Sequence, residues 1–137
     1  MDTRTQLGQN IKCCPIEITL RFLGKKWSLN ILRDLFFGKK RFSEFLKANQ
    51  KLSTKILSVR LKELEKNGII EKHIVNKTPV LIEYNLTPKG KALNKILYEM
   101  ALFSMEQEPN EVFHQVPKST AEYVPAVRNL FDLRQYE

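Results

Sequence analysis

Cysteine is scarce in this chain, and both copies, Cys13 and Cys14, sit side by side. Adjacent thiols cannot staple distant parts of one chain, so a disulfide-built fold is excluded and a reducing compartment is indicated. Histidine is equally scarce. His73 and His114 stand alone, and two thiols without a histidine cluster do not make a zinc site. Neither a metal nor a cofactor is called for. No apolar run approaches the ~18–20 residues of a membrane span. Residues 1–11 are polar, without the apolar centre of a secretory signal. A cytoplasmic protein with no membrane partner is expected. Repeats, low-complexity tracts and long Gly/Ser/Pro linkers are missing too. So are a Gly-rich phosphate loop and any rational Cys–His spacing. Glu63 and Glu65, two apart on a helix, face different ways, so the pieces of an enzyme are not assembled.

Positive charge is abundant. The 137 residues carry 23 Lys and Arg against 15 Asp and Glu, a net charge of +8. The excess is uneven: residues 1–90 hold 18 basic and 8 acidic groups, residues 91–137 hold 5 and 7. A basic body with a mildly acidic tail suits a polyanionic partner for the body.

The pattern of elements gives that body a shape. Pro15 can open a helix, Ile16, Leu20 and Leu23 recur at helical spacing, and Gly24 ends it. A second helix is expected over residues 26–37, with Trp27, Ile31, Leu32 and Leu35 on one face. Ser43 is the expected cap of a short third helix, 44–48, and Ser53 that of a fourth, through Asn67, with Gly68 beyond it. The period then changes. Residues 69–75 and 80–86 read as strands around a polar turn at 76–79, a β-hairpin. Thr87-Pro88 starts a long amphipathic helix that ends before Pro109. The remaining tail is too apolar to be disordered, and residues 119–135 are expected to be helical and docked. This gives an α+β chain, mostly α, divided into a flexible arm (1–12), a winged helix-turn-helix (13–105) and a C-terminal helical extension (106–137).

In such a fold the fourth helix would enter the major groove of double-stranded DNA. Its Leu57, Leu61 and Leu64 fall at i, i+4, i+7 and should point inward. Thr54, Lys55, Ser58, Val59 and Lys62 lie on another sector, small, polar and basic. Lys suits guanine edges, Thr and Ser several edges, and Val59 a thymine methyl. Ser53 and the first-turn N–H groups suit a phosphate. Arg41, beside Lys39 and Lys40, adds charge before the helix pair. The hairpin tip Asn76-Lys77-Thr78 is a polar, basic wing suited to the backbone or minor groove. Arg60, at the edge of the core face, can either bind phosphate or pair with Glu63 or Glu65.

These residues also follow a known series. Cys14-Pro15, Leu23-Gly24-Lys25-Lys26-Trp27, Ile31-Leu32, Gly38 and Arg41-Phe42-Ser43-Glu44-Phe45 come first. Leu52-Ser53, Leu57, Arg60-Leu61, Leu64-Glu65, Gly68-Ile69-Ile70, Glu83-Tyr84-Asn85-Leu86-Thr87-Pro88 and Gly90 follow. In this order and spacing the chain resembles the HxlR-type regulators, winged-helix relatives of the MarR transcription factors. The resemblance implies a homodimeric transcriptional regulator, paired through N- and C-terminal helices on a near-palindromic operator, with any effector left open. Two departures stand out. Lys25 replaces the second Gly of the usual Gly-Gly-Lys-Trp, and His73, Ile74 and Val75 replace the usual aromatic before the wing.

Cys14 occupies the position of a redox-sensing cysteine in several members of the family. A helix N-terminus beside Lys12 could activate it, but burial near a dimer interface is the commoner fate of a free cysteine and is the expectation adopted. Two alternatives thus accompany the regulator: a redox-responsive version signalling through Cys14, and a winged-helix protein-interaction module that binds no DNA.

Overall fold

A computed structural model describes residues 8–133. Residues 1–7 of the expected arm, and 134–135 of the expected last helix, lie outside the described residues; residues 8–10 form an exposed helical turn.

Helix α1 (Pro15–Leu23) opens with Pro15 in its first turn and closes where the Gly24 N–H donates to the Leu20 carbonyl at 2.7 Å. Only Leu23 is buried; Ile16 and Leu20 remain exposed. Helix α2 (Ser28–Phe36) begins two residues later than its apolar pattern suggested. Trp27 adopts a left-handed φ of 79° at the cap position while its ring packs against the core. Helix α3 (Phe42–Ala48) begins earlier than expected, and its cap is Arg41 rather than Ser43. The reason is Glu44: its carboxylate accepts the Arg41 N–H at 3.1 Å and the Lys40 N–H at 3.3 Å. Helix α4 (Thr54–Lys66) starts where Ser53 Oγ accepts the Ile56 N–H at 3.1 Å. It ends at Asn67, with Gly68 at φ 74°, the left-handed conformation that favours glycine.

Strands β1 (Ile70–Lys77) and β2 (Val80–Leu86) pair antiparallel, with a bulge at Val75 between the Ile74–Ile82 and Asn76–Leu81 partners. The expected long helix then arrives in two pieces. Thr87 caps a single turn, α5 (Pro88–Lys91), by accepting the Gly90 N–H at 3.1 Å. The main helix, α6 (Asn94–Gln107), follows after a tight turn in which the Leu93 N–H donates to Gly90. The Thr87 hydroxyl also reaches back to the Gly68 and Ile69 carbonyls, and a Cβ at Gly90 would collide with the Ile69 carbonyl oxygen. Thr87 and Gly90 thus clamp α5 onto the root of the hairpin.

The tail forms a turn, α7 (Pro109–Val112), a short 3₁₀ segment (Thr120–Glu122) and α8 (Val124–Leu130). The expected single helix is broken because Tyr123 leaves helical geometry and Pro125 restarts the chain in the first turn of α8. The tail docks on its own chain. Val127 and Phe131 are buried within the common core, and the Phe131 ring meets Phe36 edge-on at 5.8 Å and Phe37 at 5.7 Å. That core is built from Ile31, Leu32, Phe45, Leu57, Leu61, Leu64, Ile69 and Ile70, all at most 2 % exposed.

Candidate nucleic-acid interface

The join between α3 and α4 rests on a polar network that the apolar pattern does not announce. Asp34 and Asn49 are both buried. Asn49 Nδ2 donates to Asp34 Oδ2 at 2.7 Å and to the Phe45 carbonyl at 2.9 Å, while the Leu52 N–H donates to the Asn49 carbonyl at 2.9 Å. Arg33 closes the ring through Asp34 Oδ1, at 2.9 Å from Nη2, and Asn49 Oδ1 at 3.0 Å. The turn between the two helices is therefore hydrogen-bonded through its interior, as buried polar groups must be. A carboxylate on the apolar face of α2, three residues after Ile31, was the available signal.

On α4 the expected division of faces is present. Leu57, Leu61 and Leu64 are buried. Thr54, Lys55, Val59 and Lys62 are exposed and Ser58 is half-buried, so these five share the outward sector. Ser53 spends its acceptor on the cap, and the Thr54 and Lys55 N–H groups at N1 and N2 have no intrahelical acceptor. Arg60 is half-buried and paired: its Nε donates to the Lys26 carbonyl at 2.8 Å and Nη1 sits 3.4 Å from Glu63. Lys25, the residue that departs from the family pattern, reaches the same Glu63 at 2.8 Å. The Lys25 hydrogen bond, helped by Arg60, holds the Glu63 carboxyl below the usual carboxylate range. The link before α2 is thereby stapled to α4.

Arg41 is exposed and lies 3.7 Å from Glu83 on β2. The Tyr84 N–H donates to the Lys40 carbonyl at 2.8 Å, so the basic link and the hairpin are tied together. Tyr84 packs edge-on against Phe45 at 6.4 Å, and burial, with Glu65 nearby, pushes its hydroxyl above its usual pKa. At the tip Asn76, Lys77 and Thr78 are exposed, and Asn76 Oδ1 accepts the Thr78 N–H at 3.3 Å. The hairpin carries its tip away from the core, so these three form a group separate from the α4 sector.

Cys14 stands at the N-cap of α1, and both it and Cys13 are exposed on the single chain, since the inward side of α1 is supplied by Phe22 and Leu23. Among the described residues no group of three or more His, Cys, Asp or Glu could hold a metal ion, and no helix is long and apolar enough to cross a membrane.

Helices α2, α3 and α4 followed by a two-stranded wing, with α3 and α4 locked at the turn and α4 exposing a basic sector, define a winged helix-turn-helix. Residues 22–112 match the family model of the HxlR-like helix-turn-helix, and the chain belongs to that family of DNA-binding transcriptional regulators. It is 42 % identical over 100 residues to YvaP of Bacillus subtilis, an uncharacterized HTH-type transcriptional regulator, covering 73 % of this chain and 93 % of YvaP. The B. subtilis HTH-type transcriptional regulator YodB is also 42 % identical, over 91 residues, covering 66 % of this chain and 81 % of YodB. The reduced form of YodB superposes with a TM-score of 0.61 over 70 % of this chain and 94 % of that one, at 38 % identity. The redox regulator HypR in its oxidized form gives 0.63 over 66 % and 94 %, at 34 % identity.

Proposed function

We propose that the chain acts in the cytoplasm as a homodimeric, sequence-specific regulator, with α4 of each protomer in the major groove and the wing on the backbone or minor groove. The observation that carries this is the outward sector of α4, where Thr54, Lys55, Ser58, Val59 and Lys62 share the N-terminal part of an exposed helix face. That is where base contacts are made in this motif. Arg41, Ser53 and the tip Asn76-Lys77-Thr78 supply positioning contacts to phosphates, and Arg60 supports them indirectly through Lys26 and Glu63.

The dimer is suggested by two apolar faces that the chain leaves uncovered. On α1, Ile16 is 71 % and Leu20 52 % exposed; on α6, Met100 is 49 % and Phe103 65 % exposed, with Ile96 completing an i, i+4, i+7 stripe. Joined across a two-fold axis, these faces would form a dimer, and its two α4 helices would read adjacent major grooves at a spacing of about one DNA turn (~34–36 Å). Binding to random duplex DNA should weaken steeply as salt rises. A flat salt response would instead favour the protein-interaction module. Phe103→Glu should yield monomers in sedimentation and lose operator binding; a dimer that survives it would move the interface elsewhere.

A second, redox-responsive reading is favoured by the exposure of both thiols at the start of α1. Gel shifts with and without diamide, on the wild type and on Cys14→Ser, test it. A response that Cys14→Ser abolishes supports it, and an unchanged wild-type affinity removes it.

A further inference from the structure

The lysines of the hairpin suggest a simple phosphate contact, but the face between them is aliphatic. Cross-strand register places Lys72, Ile74 and Lys77 of β1 on the same face as Tyr84, Ile82 and Val80 of β2. Near the root this face is covered. Tyr84 packs on the core, and with Lys72 it closes a cleft of about 180 Å³ whose other wall is α4, through Ser58, Lys62 and Glu65. The same face therefore looks toward the outward sector of α4. Farther out the cover stops: Ile74 is 61 % exposed and Val80 67 %, with Ile82 half-buried between them. Single exposed aliphatic side chains need no explanation. Here they form one row, bounded by Lys72 below and Lys77 at the tip.

We propose that this row is a minor-groove contact, and that it reads A·T pairs at the flank of the operator by rejecting the guanine amino group. The inference rests on α4 lying in the major groove. The walls of a minor groove are deoxyribose C–H surfaces, which suit Ile74, Ile82 and Val80, while the two ammonium groups reach the phosphates on either side. The floor of the groove carries only acceptors at an A·T pair, but at a G·C pair the N2 amino group projects into it. Against an aliphatic row that amino group loses water and gains no acceptor, which is costly. A second copy of the chain suits the row less well. Three side chains fall far short of the roughly 800 Å² per partner of a stable interface, and a symmetric pairing would set like charges close together.

The test begins with a site selected by the wild-type protein from a random duplex pool. Base pairs flanking the major-groove contacts are then set to A·T, to G·C, or to inosine·C, which lacks the amino group. The wild type should bind the A·T flank roughly fivefold more tightly than the G·C flank, the low end of the cost of one wrong base pair. Inosine·C should behave like A·T. The Ile74→Ser/Val80→Ser double variant should lose this difference while keeping its discrimination within the selected core. Both positions are exposed, and Val80→Thr, nearly the same in shape, provides a milder version that should reduce the preference. A wild type indifferent to the flank, or a preference that survives the double variant, overturns the proposal while leaving the major-groove reading intact. A change of oligomeric state in the double variant, with flank preference unaltered, would assign the row to a protein contact and overturn it too. Failure to select any sequence would instead sink the underlying reading.

Discussion

Helix α4 and the wing face each other across one cleft, yet they are held by opposite means. Helix α4 is fixed along its length: three leucines sink into the core, Arg60 and Glu63 tie it to the link before α2, and the Asp34–Asn49 network fixes the turn that precedes it. The wing is fixed only at its root, by Tyr84, the Thr87 hydroxyl and the close approach of Gly90, and its outer half is exposed. Substitutions should therefore be felt differently in the two elements. A rigid element can present base-reading groups in fixed geometry; an element held at one end can adjust to a backbone. Changes beneath α4 should cost stability, whereas changes on the outer wing should cost none and register only on DNA.

The largest effect is expected from Asp34→Ala, which takes the buried acceptor from one Asn49 Nδ2 hydrogen and the carboxylate from Arg33. A loss of about 2–3 kcal/mol in urea unfolding is expected, the scale of unmet buried hydrogen bonds. A loss below about 0.5 kcal/mol would mean that the turn does not depend on this network. Gly90→Ala should come next, at about 1–3 kcal/mol, because the new methyl must push the Ile69 carbonyl aside. Since that strain lies at the wing root, chemical shifts should move in β1 and β2 more than in α4; equal movement of both would erase the contrast drawn above.

Smaller still is the contribution of Glu63, whose side chain is 33 % exposed and therefore partly screened. Its carboxyl is held below the usual value in the folded chain. The stabilisation is thus complete above the ordinary carboxylate pKa and is lost as the pH falls through the lowered folded value. Glu63→Gln should cost under about 1 kcal/mol at pH 7 and progressively less in acid. A penalty independent of pH would contradict the ion-pair account. Least of all, Ile74→Ser/Val80→Ser should leave unfolding within about 0.5 kcal/mol of the wild type. A larger loss would show that the outer wing is packed after all.

Much of this arrangement was legible in the residues. Ser53, the Leu57–Leu61–Leu64 spacing and Gly68 specify α4 by local rules of capping and period, and those rules operate within a dozen residues. The change to β-branched residues after Gly68 marks the hairpin in the same way. What local rules miss are choices decided across the fold. Trp27 takes a left-handed φ because its ring is held by the core. Glu44 moves the cap of α3 by reaching backward to Arg41. Asp34 and Asn49 find each other across 15 positions. Likewise the pairing of Arg60 is set by the fold, which brings the Lys26 carbonyl and Glu63 within its reach. The row on the wing follows from the bulge at Val75, which no composition signal foretells.

The claim at the centre is that α4 reads bases while the wing lysine holds the backbone. It is tested most directly by sequencing the sites that wild type, Lys55→Ala, Ser58→Ala and Lys77→Ala select from one random duplex pool, with affinities measured on each selected site. Lys55→Ala and Ser58→Ala should change the preferred sequence, whereas Lys77→Ala should weaken binding to all sequences alike and lower the salt slope by about one. Equal weakening on every sequence by all three variants would contradict it.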